Sequence, residues 1–207
     1  MKITLIGGSR GTGAKVAELA QRSGHEVTIL SRSIPQSPDK PQLRTIVGDA
    51  LDPETATQAV AGADAVVITV GGAKGAAKHR TAVTESVIAA MQQTGAKRLI
   101  VQSSLGAGGS ASQLPGVIGF ITKLLLANPL ADHETQEQAV ISSGLEWTIM
   151  RPTGLTNKEP SGDWQQLEIG QRGKLKGSIA RGDVAGCILA ALGDDSSIGK
   201  AFGISSR

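Results

Sequence analysis

The chain has no tyrosine, and only 2% of its 207 residues are aromatic: two tryptophans and two phenylalanines. A mechanism that needs a tyrosine hydroxyl is excluded outright. Cys187 is the single cysteine, so neither an internal disulfide nor a cysteine metal cluster can form. It lies in an apolar helical stretch and is expected in the core; no metal site is expected anywhere. Long apolar runs are also missing. The first ends at Ile6, where glycines begin, and that is not the shape of a secretory leader. The longest, 116–127, is broken by Lys123 and is too short to span a bilayer. The expectation is a cytoplasmic protein with no membrane contact. Charge of one sign is scarce too. Lys and Arg number 21 against 18 Asp and Glu, a net charge of +3 that suits a small anionic ligand. It is too weak and scattered for nucleic acid. The densest basic run, Arg172, Lys174, Lys176 and Arg181, has no interleaved aromatics and reads as a solvated loop or strand face.

What is present is organised around Met1 to Gly13. Lys2 to Ile6 is a short apolar run with β-branched residues, which reads as a buried parallel strand. Gly7, Gly8, Ser9, Arg10, Gly11, Thr12 and Gly13 follow, and Ala14 to Arg22 has apolar residues at helical spacing. Strand, glycine turn and helix form the setting of a dinucleotide-binding fingerprint. The backbone must approach a pyrophosphate closely, which excludes Cβ atoms, and the helix turns its free N–H groups toward the phosphates.

Strands and helices then alternate. Strands are expected at Glu26–Leu30, Leu43–Val47, Asp64–Val70, Arg98–Gln102, Trp147–Met150 and Lys200–Ile204. Helices are expected at Pro53–Ala61 with Asp52 as cap, Arg80–Thr94, Val117–Leu126, Asp132–Ser143, and from a capping Asp183 to Leu192. Residues 153–176 read as mostly irregular, a small region covering the substrate. This pattern gives an α/β class: one Rossmann-type, doubly wound parallel sheet with helices on both faces, a single domain over 1–207. About 70% of the unfolded surface is buried in a domain of this size, so no staple is needed.

Ligands in such sheets lie beyond the carboxyl ends of the strands. The second strand ends in Ser31, Arg32 and Ser33, with no carboxylate before Asp39. An acid there would bond a ribose 2′-hydroxyl, whereas Arg32 would pair with a 2′-phosphate, helped by Ser31, Ser33 and Arg10. NADP(H) is therefore the expected cofactor. Val70, Gly71 and Gly72 end the fourth strand, Ser103 and Ser104 the fifth, and Pro152 and Thr153 the sixth. Gly48, Asp49, Ala50 and Leu51 after the third strand resemble the adenine site of short-chain dehydrogenase/reductases, which implies an adenine contact for Asp49; on local grounds it equally caps its own turn.

The G-x-x-x-G-x-G spacing of Gly7, Gly11 and Gly13 resembles the short-chain dehydrogenase/reductase superfamily. That superfamily generally uses a Tyr-x-x-x-Lys pair, which this chain cannot supply. Gly48-Asp49, Ala61 to Val67, Ser103-Ser104, the Ser143-Gly144-Leu145 to Arg151-Pro152 passage and Arg181 to Ala185 narrow the likeness. The chain resembles the atypical NAD(P)H-binding, NmrA-like branch that includes biliverdin-IXβ reductase/flavin reductases. It departs from those reductases where Arg10 occupies their middle glycine position and where Arg151-Pro152-Thr153 replaces their double proline.

The resemblance implies an NADPH-dependent reductase of a planar, delocalised acceptor, a flavin such as FMN or a biliverdin-like tetrapyrrole. Such an acceptor absorbs incoming charge itself, so positioning supplies most of the rate effect. Two alternatives stay open: an NADP(H)-sensing module without turnover, and an NAD(P)-dependent isomerase or epimerase. Ser104 and His133 are the candidate proton donors, weighed against a strand-end turn for a serine and a surface position for the histidine. Trp164 either covers a planar substrate or anchors its loop. A monomer is expected.

Overall fold

Ile3, Leu5 and Ile6 are at most 1% exposed and form the middle of strand β1, Lys2–Ile6. The computed structural model describes residues 1–33, 42–72, 78–113, 127–171, 173–175 and 177–207. After β1 come α1 (Gly11–Arg22), β2 (Glu26–Ser31), β3 (Leu43–Val47), α2 (Pro53–Val60), β4 (Ala65–Ile68), α3 (His79–Thr94) and β5 (Arg98–Gln102). Then follow α4 (Ala127–Ile141), β6 (Glu146–Pro152), β7 (Gly154–Thr156), β8 (Trp164–Glu168), β9 (Ser178–Ala180), α5 (Arg181–Leu192) and β10 (Lys200–Ser206).

Eight strands share one sheet in the order β3-β2-β1-β4-β5-β6-β10-β8, and only the edge strand β8 runs antiparallel. Ile3 faces Val27 of β2 on one side and Ala65 of β4 on the other. The chain moves outward from β1 in both directions, so the loops leaving β1 and β4 part and open a crevice at the carboxyl edge. Helices α1 and α5 pack together on one face through Val16, Ala20, Val184 and Ile188. Helices α2, α3 and α4 cover the other through Val60, Val87, Met91 and Val140. The doubly wound parallel sheet is as expected from the alternation, with an antiparallel edge added.

Several boundaries differ for local reasons. Helix α1 starts at Gly11 rather than Ala14, so the glycine turn runs into its first turn. Strand β2 extends to Ser31, which is buried. Strand β4 is shorter than Asp64–Val70, and the Asp64 carboxylate instead accepts from the Lys2 amide at 2.6 Å. Asp52 caps α2 by accepting from the Thr55 amide at 3.0 Å, with Pro53 at the first helical position. Helix α4 starts at Ala127 and takes Pro129 into its first turn, where no backbone N–H is required. The helix expected at 117–126 lies outside the described residues, as do Arg172 and Lys176 of the basic run.

The C-terminal side holds two short strands that the sequence did not announce, and one expectation there is corrected. Residues 153–176 are irregular over most of their described length, as expected, but hold those two strands: β7 pairs in parallel with β9, and β8 pairs with β10, Trp164 opposite Ser206. A Cβ built on Gly186 of α5 would lie 3.1 Å from the Trp164 ring, so Trp164 anchors β8 to the core and is no lid. Nor does Asp183 cap α5, whose N-cap is Ala180. The Asp183 carboxylate reaches back to accept from the amides of Ser161 at 3.1 Å and Gly162 at 2.9 Å, fixing the loop before β8. Cys187 is 1% exposed in the core, and burial together with the nearby Asp183 charge pushes its thiol up to about 12.

Under the carboxyl edge, β6 is tied to α4 by a buried ion pair. Arg151 donates from Nε to Glu137 Oε1 at 2.9 Å and from Nη2 to Oε2 at 2.7 Å. Their side chains are 2% and 1% exposed. Removing one partner strands a charge in the interior, at a cost of about 3–5 kcal/mol. Glu137→Gln should therefore lower unfolding free energy by about that amount, read from the urea midpoint; a loss below about 1 kcal/mol would mean that the pair contributes little.

Candidate functional site

A cavity of about 730 Å³ lies along the carboxyl edge, over the crevice between β1 and β4. Its floor is the turn from β1 to α1. A Cβ at Gly13 would collide with the Gly7 carbonyl oxygen and with Thr69 Oγ1, so only glycine lets the first turn of α1 pack this closely on the end of β4. Gly11 has φ +59°, the left-handed region. No side chain caps α1, and no acid lies in its first turn. The free N–H groups and positive dipole end are left for a ligand.

On the β2–β3 side stand Ser31, Arg32 and Ser33. Ser31 Oγ donates to Ser9 Oγ at 2.9 Å and accepts from the Ser33 amide at 3.3 Å, so one serine links the glycine turn to the end of β2. Arg10 and Arg32 both line the cavity and are exposed. Asp49 lines it as well, and its Oδ1 accepts from the Leu51 amide at 3.0 Å, which closes its own turn. Ala50 lies in the wall, while Leu51, 43% exposed, does not.

On the β4–β6 side the wall includes Val70, Gly71, Ser103, Ser104, Pro152 and Thr153. Gly72 lies behind it, against Arg80, and Gly8 packs under the turn on Ile29. The Oγ atoms of Ser103 and Thr153 and the Oε1 of Gln102 are buried with no hydrogen-bond partner among the described residues. Buried polar groups without partners are costly, so three around one cavity await a polar ligand. Ser104 Oγ points its hydrogen bond to the Leu105 carbonyl at a long 3.4 Å.

His133 is not the surface residue the sequence suggested. It is 7% exposed, on the inner side of α4, and lines the cavity. Its Nδ1 lies 3.1 Å from Gln136 Oε1, and Gln136 Nε2 donates to Thr84 Oγ1 at 3.0 Å, which assigns the Nδ1–H as donor. Burial, then the Arg80 charge, lowers its pKa from 6.5 to about 4. Next to it, burial alone would raise the Asp132 carboxyl. The hydrogen bonds from Thr81 and Arg80 outweigh that and hold it below the usual carboxylate range.

Arg181 carries the largest change from the sequence reading. It does not sit on a solvated face but opens α5 and lines the cavity. Its Nε would lie 3.6 Å from a Cβ on Gly11, and its Nη1 donates to Asn157 Oδ1 at 2.7 Å. The space between the glycine turn and this guanidinium suits a diphosphate. Its place in Arg181-Gly182-Asp183-Val184-Ala185 was the available signal. Arg80, Leu105 and Leu130 also line the cavity unforeseen, because their positions depend on packing between distant helices and loops.

A family model described as NAD(P)H-binding matches residues 7–195. The uncharacterized sugar epimerase YhfK of Bacillus subtilis (strain 168) is 27% identical over 214 residues, spanning 98% of this chain and 92% of that protein. A Rossmann-fold NAD(P)-binding family protein from Shigella flexneri matches with TM-score 0.78 at 26% identity, over 100% of this chain and 93% of that one. ChuY, an anaerobillin reductase from Escherichia coli O157:H7, matches with TM-score 0.80 at 24% identity over 100% and 98% of the two chains, a likeness of fold. An uncapped helix behind a glycine turn, at the switch point of a doubly wound sheet, is what such a family requires, and the chain belongs to the NAD(P)H-binding family on a Rossmann fold.

Proposed function

We propose that the protein is an NADPH-dependent reductase of a planar, delocalised acceptor, a flavin or a linear tetrapyrrole. The observation that carries this reading is a dinucleotide cradle beside a reaction space that, among the described residues, lacks a tyrosine and holds its buried histidine neutral. Tyrosine is absent, and His133 is neutral with its Nδ1–H committed to Gln136. Among the described residues, the one carboxylate in the cavity wall is Asp49, on the far β3 side.

The parts divide as follows. Arg32, with Ser31, Ser33 and Arg10, receives the 2′-phosphate. The amides of Gly11 to Gly13 and the Arg181 guanidinium receive the diphosphate. The buried hydroxyls of Ser103 and Thr153 serve the carboxamide end, and Ala50 with Asp49 the adenine. Bound there, NADPH supplies the hydride. Leu105, Leu130 and Pro152 give the acceptor ring an apolar wall, and the cleft is lined further by Gly154 and Leu155 of β7 and by Gly177, just before β9. Water delivers the proton, with Ser104 ordering it at most, because the acceptor spreads the incoming charge. ChuY, named as an anaerobillin reductase, has this fold, which agrees with a tetrapyrrole acceptor.

The direct test follows NADPH absorbance without oxygen, with FMN, biliverdin and no acceptor. Consumption with one of the two is expected. NADPH binding without consumption would replace the reductase with a sensing module.

Arg32→Ala should weaken NADPH binding by about 1.5–3 kcal/mol and leave NADH binding nearly unchanged in calorimetric titration. Equal losses for both would remove Arg32 from the 2′-phosphate.

Ser104→Ala and His133→Gln should each keep turnover well above the 10²–10⁴-fold loss that follows removal of a general acid. His133 also predicts a stability slope. Its folded pKa near 4 lies below the ordinary 6.5, so the unfolded chain takes up the proton first as pH falls. Stability contributed by the neutral ring is complete above 6.5 and is lost toward 4. Thermal melts across that window should show the fall in the wild type and a flatter profile in His133→Gln. An unchanged slope would contradict the buried neutral ring.

A further inference from the structure

Among the described residues four arginines line the cavity, and on the proposed reading the dinucleotide accounts for three of them: Arg10 and Arg32 at the 2′-phosphate end and Arg181 at the diphosphate. Arg80 is left over. It is the second residue of α3, and its Nη1 and Nη2 would stand 3.0 and 3.2 Å from a Cβ on Gly72, behind the end of β4. Its side chain is 16% exposed. Its single side-chain bond among the described residues runs from Nη1 to Asp132 Oδ2, at a long 3.3 Å.

That carboxylate is already committed. Asp132 accepts from the amides of Arg80 and Thr81 at 3.1 Å each and from Thr81 Oγ1 at 2.8 Å, so it caps α3. Of the next acids along α4, Glu134 is exposed and Glu137 is consumed by Arg151. His133 beside it is neutral, so it offers no opposing charge. Arg80 thus lines the same cavity as His79 and His133, its guanidinium mostly buried and, among the described residues, with no uncommitted acid beside it. A partly desolvated guanidinium is a strong site for a carboxylate or a phosphate.

We propose that Arg80, assisted by His79, is the anion subsite for the acceptor, so that the protein selects planar acceptors bearing a carboxylate or phosphate arm. This rests on the reductase reading for the identity of the ring. The subsite itself is tested by binding.

The test measures binding of FMN and riboflavin to NADP⁺-saturated protein by fluorescence quenching, in wild type, Arg80→Gln and Arg80→Lys. The two flavins share a ring and differ by the phosphate. Biliverdin and its dimethyl ester form the second pair, differing by two carboxylates. A preference of about tenfold to a hundredfold for the anionic member of a pair is expected in the wild type. Arg80→Gln should abolish it, Arg80→Lys should keep part of it, and NADPH affinity should stay within about twofold of wild type. The pair that shows the preference identifies the arm as phosphate or carboxylate. Equal binding within both pairs, no measurable binding of any of the four, or an equal loss for both members in Arg80→Gln overturns the subsite. So does a loss of NADPH affinity in Arg80→Gln, which would hand Arg80 to the cofactor. An Arg80-dependent preference without NADPH consumption would sink the reductase reading and leave the subsite standing. Consumption without a preference would do the reverse.

Discussion

The close approach of backbone to backbone at Gly13 is the constraint on which the rest of this molecule depends. With no Cβ there, the first turn of α1 presses against the end of β4, and its amides stand at the parting of β1 and β4. The helix dipole then points at one spot. Ser9 is placed to accept from Ser31, which joins the glycine turn to the strand end that presents Arg32. Arg181 closes over the turn from the opposite side because α5 packs on α1. A larger residue at Gly13 would displace all of these contacts together.

Around this turn the charges are sorted by burial. Acids near the cavity are spent on structure: Asp132 on the start of α3, Glu137 on Arg151, Asp183 on the loop before β8. The arginines that line the wall are left toward solvent or toward the cavity. An electropositive cleft that holds its buried histidine, His133, neutral is suited to anions and to hydride chemistry. The low pKa of His133 comes first from burial and then from the Arg80 guanidinium, which disfavours a second positive charge beside it.

Features set by near neighbours in the chain were legible in the sequence. The strand, turn and helix from Lys2 to Arg22, the cap at Asp52 and the Ser31–Arg32–Ser33 strand end each depend on a few adjacent residues. So did the parallel sheet, because the alternation of apolar strands and helices repeats along the chain. Long-range partners were not legible. Strands β7 and β9 are three residues each and exist only because they pair with one another. Strand β8 borrows its ladder from the C-terminal β10, and Trp164 finds its place against Gly186 of a later helix. His133 looked like a surface residue because its own helix carries many polar side chains; Gln136 on that helix, bonded across the α3–α4 contact to Thr84, holds it inside. Arg80 and Arg181 sit in helical stretches with ordinary polar neighbours, and only the packing of the helices turns them to the cavity.

The central claim is direct hydride transfer to a delocalised acceptor without a protein acid. Single-turnover reduction by NADPH carrying deuterium at the transferred position, in ordinary and in heavy water, tests it most directly. The account predicts a several-fold slowing by the nicotinamide label, label recovered in the reduced acceptor, and almost no effect of heavy water on that step. A large solvent isotope effect with none from the nicotinamide label would contradict it and place a protein-controlled proton transfer at the centre of the reaction.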